Sequence, residues 1–174
     1  MWFEHLTYFT AVERPDLLAA PVAAAIHLIP EAMVFEIDPD FADTEAMCEN
    51  YGLPIERSAN IVLATGFRDG ERRDVGCMTL AHRRVDMNNT VKRRLDVRKA
   101  SFTPMAEAVA ESGMEYGAIT PVGLPWRVWV DGVVATTPWI CVGSGLRTSK
   151  LILPGRTLLD LPNAELVEDL ARDV

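Results

Sequence analysis

The chain has 174 residues, a length typical of one domain that is large enough to bury a substantial core. Apolar residues make up 49% and charged residues 24%, as in ordinary soluble globular proteins. The net charge of −8 argues against nonspecific nucleic-acid binding, so we expect no DNA partner. We predict a single domain over residues 1–174, with residues 1–43 as an N-terminal extension.

The longest apolar stretch, residues 17–29, is too short to span a bilayer, and the residues before it are acidic rather than basic. We therefore expect a cytoplasmic protein with no membrane partner. The three cysteines have no close spacing, which favours core thiols over a disulfide framework or a zinc site. No metal and no cofactor is predicted.

In chain order, residues 16–33 are helical or irregular, and residues 34–37 form a short strand. Asp43 and Thr44 can cap a helix over residues 45–50, which Gly52 ends. Two apolar, β-branched runs at residues 60–65 and 74–80 are joined through Arg68-Asp69-Gly70, a pattern typical of a hairpin.

The second half contains two further predicted helices before a run of strands. Asp86 caps a helix whose apolar stripe is Met87, Val91 and Leu95, and a helix that opens at Thr103-Pro104 ends at Gly113. Strands are predicted at residues 128–130, 139–142 and 150–153, followed by an amphipathic helix from Pro162 to about Ala171. This order favours an α/β (α+β) domain with a mixed, curved sheet or partial barrel flanked by helices.

Two glycine-rich segments are candidate ligand-binding loops. Residues 117–123 combine Gly117 and Gly123 with Pro121, and Gly143-Ser144-Gly145 follows a predicted strand. Glycines let backbone amides approach a carboxylate, a phosphate or a developing oxyanion. Neither segment has the spacing of a dinucleotide-binding loop or a P-loop. Tight turns would explain both segments about as well.

The usual catalytic arrangements are absent from the sequence. The three histidines are scattered, and Ser144 lacks the G-x-S-x-G pattern of a serine hydrolase. One basic segment stands out, because residues 83–99 carry seven basic and two acidic side chains. Such a segment can bind phosphates locally, although a solvated helix face is the alternative. Its candidate phosphate-binding residues are Lys92, Arg93, Arg94, Arg98 and Lys99.

Read together, the second half resembles the YbaK/ProX family of aminoacyl-tRNA editing domains, and the resemblance covers roughly residues 44–171. Residues 113–124 (GMEYGAITPVGL) are similar to the family's G-x-x-x-P loop, and Val130-Asp131 to its strand that ends in Asp. Residues 140–147 (ICVGSGLR) resemble the small-residue turn, and residues 60–64 take the place of the first pocket strand.

The resemblance implies a deacylase that hydrolyses the ester of a mischarged aminoacyl-tRNA in trans, beside a synthetase. Similar proteins remove small wrong amino acids from proline tRNA, so the five basic residues named above become candidate tRNA-binding residues. A positioned water and backbone donors can suffice for such an activated ester, so no side-chain nucleophile is needed. The implied catalytic residues are Asn60, Gly117, Gly143, Ser144 and Gly145. The implied substrate-binding residues are Tyr116, Ile119, Thr120, Pro121, Gly123 and Asp131, although a structural role is the stronger expectation for Asp131.

One position departs from the family pattern. The family commonly carries a lysine on the first pocket strand, where this chain has Asn60. Asparagine donates a hydrogen bond but supplies no charge. Either Asn60 positions the ester or the water without a charge, or the activity has changed or lapsed. The alternative function is a non-catalytic protein on the same scaffold that recognises an aminoacyl group, a tRNA end or a synthetase.

Overall fold

A computed structural model describes all 174 residues as a mixed α/β domain with three open sheets. A four-stranded sheet has the order β1-β2-β9-β8, a five-stranded sheet the order β10-β7-β4-β3-β6, and a small sheet pairs β11 with β5. The strands are β1 (Tyr8–Thr10), β2 (Met33–Glu36), β3 (Ala59–Arg68), β4 (Glu71–Leu80), β5 (Arg83–Val85), β6 (Ala100–Phe102), β7 (Val128–Asp131), β8 (Ile140–Gly143), β9 (Ser149–Leu153), β10 (Ala164–Val167) and β11 (Ala171–Asp173).

Five short helices cover the faces and the ends of the sheets. They are α1 (Ala20–Ala25), α2 (Thr44–Tyr51), α3 (Lys92–Leu95), α4 (Met105–Ser112) and α5 (Gly132–Thr136). The helices α2 and α4 end at Gly52 and Gly113, which both adopt a left-handed conformation at the C-cap. None of the five helices has the length and apolar character needed to cross a lipid bilayer.

The β3–β4 hairpin is the longest regular feature, with ten paired positions. Its two-residue turn consists of Asp69 and Gly70, which have φ values of 51° and 81°. Positive φ at both positions is what a tight hairpin turn requires, and Asp-Gly supplies it at low cost. The predicted hairpin is therefore confirmed, with strands longer than the apolar runs alone indicated.

Alternation along the strands divides the interior into layers. Val128 and Val130 of β7 join the main core between the two large sheets, whereas Trp129 joins a second cluster beneath α3 and the small sheet. A third cluster packs α2 against the outer face of the four-stranded sheet through Met47, Phe35 and Ile152. Because successive side chains of a strand point to opposite faces of the sheet, one strand can contribute residues to two cores.

Two predicted helices differ from the structure. The predicted helix from Pro162 to Ala171 is wrong, because β10 pairs in parallel with β7 and β11 pairs with β5. The apolar spacing of this segment suits a helix, but the unpaired edges of β7 and β5 decide its conformation. The helix predicted after Asp86 is present over residues 87–95, but Met87–Val91 form a π-helical turn and only Lys92–Leu95 are α-helical. Asp86 caps it as predicted, through its carboxylate and the Asn89 amide.

The N-terminal residues are part of the packed domain. Strand β2 pairs with β9, and β1 extends the same sheet at its edge. The two large sheets come together where Ser58, just before β3, forms a bridge with Cys141 of β8. This junction brings the beginning of β3 close to the four-stranded sheet and to α2, and it opens a hollow between them.

Candidate functional site

A cavity of about 450 Å³ lies at this junction, within the size range of small-molecule sites. Four segments form its walls: the start of α2 (residues 42–44), the first half of β3 (residues 60–63), the segment from β6 into α4, and the loop that contains Gly117 and Ile119. Lys150 of β9 completes the lining. The lining is mostly apolar, with a few polar groups that converge from different elements.

Asn60 presents a hydrogen-bond donor at one wall. Its Oδ1 atom accepts a hydrogen bond from Thr44 Oγ1 at 3.3 Å. The Nδ2 group is left without a protein partner on an exposed side chain. Asn60 can therefore donate to a ligand oxygen.

The start of α2 contributes further donors. Asp43 occupies the N-cap position, but its carboxylate makes no capping hydrogen bond and instead lies 3.7 Å from Arg147 Nη1. The first-turn amides of α2 therefore remain available, and they carry the positive end of the helix dipole. These amides favour negative charge at this side of the cavity.

The loop at Gly117 provides the opposite wall. Gly117 has a φ of 75°, and a side chain there would collide with Arg147 Nη1, 2.7 Å from the ideal Cβ position. Arg147 braces the loop by donating to the carbonyl oxygens of Tyr116 at 3.3 Å and Pro39 at 3.1 Å. The backbone amides of Gly117 and Ile119 make no backbone hydrogen bond. Both residues line the cavity, so their amides are available there as main-chain donors.

Lys150 is the one basic side chain in the lining, and the sequence reasoning overlooked it. The residue is only 6% exposed and lies on a strand whose five residues are all buried. Burial is the main cause that lowers the pKa of the ammonium group, and the neighbouring Arg147 lowers it further. The cavity therefore contains a charged side chain in addition to the uncharged donors expected from the sequence.

The two glycine segments lie next to each other, although only one of them lines the cavity. The amide of Gly145 donates to the carbonyl of Ala118 at 2.9 Å, and the amide of Glu115 donates to the carbonyl of Gly145 at 2.9 Å. Gly143 packs so closely on Ala118 that an added Cβ would lie 2.5 Å from its carbonyl oxygen. Gly143 and Gly145 thus hold the Gly117 loop in place rather than lining the cavity.

Ser144 has no exposed surface and does not line the cavity. Its hydroxyl lies 2.7 Å from that of Ser149 and accepts a hydrogen bond from the Leu146 amide at 3.2 Å. Both contacts of the Ser144 hydroxyl are made to residues of the turn between β8 and β9 or next to it, so they hold this turn in place. The structure places Ser144 in a structural position, contrary to the catalytic assignment.

Four of the predicted substrate-binding residues lie outside the cavity. Thr120 and Pro121 are buried beneath the loop, Gly123 packs against the carbonyl of Pro21, and Tyr116 points to the surface with 61% exposure. Of the six predicted substrate-binding residues, only Ile119 lines the cavity. Thr120, Pro121 and Gly123 support the loop from the side that packs on the protein.

Asp131 is remote from the cavity and fully buried. It caps α5 through the Val133 amide, accepts from the Ala171 amide at 3.1 Å and lies 3.6 Å from Arg83 Nε. Burial raises the pKa of its carboxyl, partly offset by these partners. Asp131 thus joins β7, α5 and β11, which matches the structural role that was favoured for it.

The five basic residues predicted to bind tRNA are all exposed but do not form one surface. Arg98 and Lys99 line a groove that adjoins the cavity through the shared residue Phe102. Lys92 and Arg93 line a separate groove, and Arg94 is paired with Glu165 at 2.8 Å. Only Arg98 and Lys99 therefore lie beside the candidate site.

Phe102 was also missed. Its ring is 70% exposed and forms the ridge between the cavity and the Arg98–Lys99 groove. An exposed ring of this kind is a surface on which a base can stack. A strand of only three residues, of which the last two are both exposed, gives little sequence signal for it.

Residues 38–161 match the family model described as the aminoacyl-tRNA editing domain, which is well over half of the chain. The chain belongs to this family. The resemblance to editing domains is thereby confirmed, and all four walls of the cavity fall inside the matched segment. No curated protein matches the sequence closely enough to add to this assignment.

Solved structures support the same fold for the editing domain. A candidate trans-editing enzyme for prolyl-tRNA synthetase is 16% identical, with a TM-score of 0.72 over 86% of this chain and 94% of its own. A scaffold protein used in computational design to present linear epitopes has 16% identity and a TM-score of 0.73, covering 90% and 97% of the two chains. A protein described as hypothetical has 16% identity and a TM-score of 0.69, covering 80% and 90%.

Proposed function

We propose that this editing domain hydrolyses the ester bond of a mischarged aminoacyl-tRNA, and that the cavity beside Asn60 and Gly117 holds the aminoacyl end. The observation that carries the proposal is the cavity itself. It combines an apolar lining with unpaired donors from Asn60, from the start of α2 and from the Gly117 loop. Donors aimed at one point suit the negative charge that develops on a carbonyl oxygen under attack by water.

The reaction needs no side-chain nucleophile. The water oxygen bonds to the carbonyl carbon, the carbon–oxygen bond to the ribose breaks, and one water proton ends on the ribose oxygen. The released carboxylic acid gives its proton to solvent. The protein contributes by holding the ester and the water in a reactive geometry, which is a large part of the acceleration in such reactions.

The groove beyond Phe102 offers a path for the tRNA end. A base that stacks on the Phe102 ring would place its phosphates near Arg98 and Lys99, which carry no ion pair of their own. Stacking and phosphate contacts together bind single-stranded nucleic acid without reading its sequence. The whole chain has a net charge of −8, so this groove would be a local basic surface on an acidic protein.

We infer that the substrate carries a small wrong amino acid, with proline tRNA as the first candidate. The prolyl system is supported by the fold shared with the candidate trans-editing enzyme for prolyl-tRNA synthetase. We expect the protein to act beside an aminoacyl-tRNA synthetase, because synthetases produce the mischarged tRNA.

The test measures deacylation of radiolabelled alanyl-, cysteinyl- and prolyl-tRNA on proline tRNA. Wild type is expected to hydrolyse at least one mischarged ester well above its spontaneous rate and to spare prolyl-tRNA. Asn60→Ala is expected to lower kcat/KM about 10-fold, since a lost hydrogen bond of about 1.4 kcal/mol corresponds to that factor.

Asn50→Ala is the matched control, because Asn50 lies on α2 outside the cavity and bonds only the Ala46 carbonyl. It should retain the wild-type rate. If wild type leaves every ester at its spontaneous rate while still retaining tRNA on a filter, the protein is a binding module and the hydrolytic proposal is wrong.

A further inference from the structure

Lys150 is a largely buried cation that has no ion-pair partner within 4 Å, and its Nζ atom keeps some accessible surface. The residue is 6% exposed, and its ammonium group makes no hydrogen bond and no ion pair with another residue. Its strand partners are Phe35 and Gly143, which offer no charge. The side chain nevertheless lines the cavity that also contains Asn60 and Gly117.

Such an arrangement is costly for the fold. An ammonium group removed from water loses several kcal/mol of solvation unless a partner replaces the water. The nearest carboxylate, Asp43, is exposed and faces Arg147 instead. Arg147 adds positive charge beside Lys150, and the remaining groups that act on it are the thiols of Cys48 and Cys141. Burial raises the pKa of the Cys141 thiol to about 12, so this thiol is neutral. No neighbour neutralises the lysine charge.

The cavity around Lys150 is arranged for negative charge. The donors already described, from Asn60, from α2 and from the Gly117 loop, surround the same space, and the one carboxylate in the lining, Asp43, lies 3.7 Å from Arg147 Nη1. A transient oxyanion is the ligand charge that these groups match, because it forms only during the reaction and inside the cavity. A titratable group with a shifted pKa in such a cleft is a candidate for a functional role.

We propose that Lys150 is a catalytic residue of the ester hydrolysis, and that its ammonium group donates a hydrogen bond to the carbonyl oxygen of the aminoacyl ester. The inference rests on the proposed function. In the attack by water the carbonyl oxygen gains negative charge, the charge of Lys150 stabilises it, and the carbonyl re-forms as the ribose oxygen leaves. Lys150 keeps its proton throughout.

The test compares Lys150→Met and Lys150→Arg with wild type in single-turnover and steady-state deacylation. Methionine keeps the length of the side chain without its charge, and we expect kcat to fall about 10²-fold with little change in KM. Arginine keeps the charge and should retain a measurable part of the rate. Arg156→Met is the control, since it removes an exposed charge outside the cavity and should leave kcat unchanged.

Thermal unfolding separates this role from a structural one. Lys150→Met should be at least as stable as wild type, because it relieves a buried charge, whereas a structural lysine would lose stability on substitution. The chain contains three lysines, so the Lys150 resonance can be assigned by NMR in isotope-labelled protein. It should shift when a non-hydrolysable alanylamino-deoxyadenosine binds.

The outcomes distinguish the two proposals. Wild type that hydrolyses a mischarged ester, together with Lys150→Met at the same kcat, overturns the role of Lys150 and leaves the proposed function standing. Lys150→Arg as inactive as Lys150→Met also overturns it, because the charge would then not be the property that matters. Wild type without activity on any ester overturns the proposed function and the lysine role with it.

Discussion

The contact between the two glycine segments makes Gly143→Ala an informative substitution. Gly143 has an ordinary backbone conformation, so the added methyl group acts through space alone. Its Cβ would lie 2.5 Å from the carbonyl oxygen of Ala118 and 3.1 Å from that of Ile119, whereas ordinary contacts begin at 3.4 Å. The loop must therefore move by roughly 1 Å to admit the methyl group, since overpacked groups are relieved by backbone shifts.

Overpacking of this size costs about 1–3 kcal/mol in the free energy of unfolding. For a chain of this length that corresponds to a fall in Tm of about 2–12 °C. Because Ala118 lies between Gly117 and Ile119, the same movement displaces the cavity wall. A displacement of about 1 Å at a reacting centre lowers rates by up to about 10²-fold, so we expect kcat/KM to fall by about 10- to 100-fold.

The assays are urea unfolding followed by circular dichroism and deacylation at a temperature where the variant is folded. Gly70→Ala is the control, because Gly70 has a φ of 81° at a hairpin tip with no atom within 4 Å of the added Cβ. It should lose about 1 kcal/mol through backbone strain and keep its activity. Gly143→Ala with wild-type stability and wild-type activity would refute the reasoning.

Three further predictions concern charged groups. Replacing Arg98 and Lys99 together by alanine should weaken tRNA binding and reduce the slope of log K against log salt by about one to two. The control double variant, Lys92→Ala with Arg93→Ala, should leave the slope nearly unchanged. Filter binding at several salt concentrations measures both slopes, and equal slopes for the two double variants would contradict the prediction. Lys150 has a pKa lowered from 10.5 in the folded protein, so the unfolded chain binds more protons between the two pKa values and wild-type stability rises with pH there. The stability advantage of Lys150→Met over wild type should accordingly be largest below the lowered pKa and shrink as the pH rises toward 10.5. An advantage that does not change with pH in urea unfolding would be inconsistent with a buried charge. Asp131→Ala should cost about 3 kcal/mol, because it leaves the buried Ala171 amide without its acceptor and removes the carboxylate that lies 3.6 Å from Arg83 Nε. The kcat of the folded fraction should stay at the wild-type value; a variant with full stability or a selective loss of kcat would move Asp131 back to the substrate site.

Local signals in the sequence were sufficient for several elements. The Asp69-Gly70 pair predicts the hairpin turn because both residues tolerate positive φ, and Gly52 and Gly113 end their helices for the same reason. The segment from Pro162 to Ala171 shows the limit of such signals. Its conformation depends on strand edges contributed by β7 and β5, which lie far away in the sequence.

The candidate site was only partly predictable. Asn60, Gly117 and Ile119 reach one cavity, but their convergence depends on the junction between the two large sheets. Lys150 had a usable signal, since a single lysine stands in a strand that is otherwise suited to the core. The glycine pattern at residues 143–145 could not reveal whether the backbone faces a ligand or the neighbouring loop, because glycine permits close approach to either.

The most direct measurement of the central claim is a crystal structure of the protein with alanylamino-deoxyadenosine, an amide in place of the reactive ester. The account predicts that the alanyl group occupies the cavity, with its carbonyl oxygen within hydrogen-bond distance of Lys150 Nζ and Asn60 Nδ2 and the adenine toward Phe102. A ligand bound elsewhere, or one whose carbonyl faces away from both side chains, would contradict it.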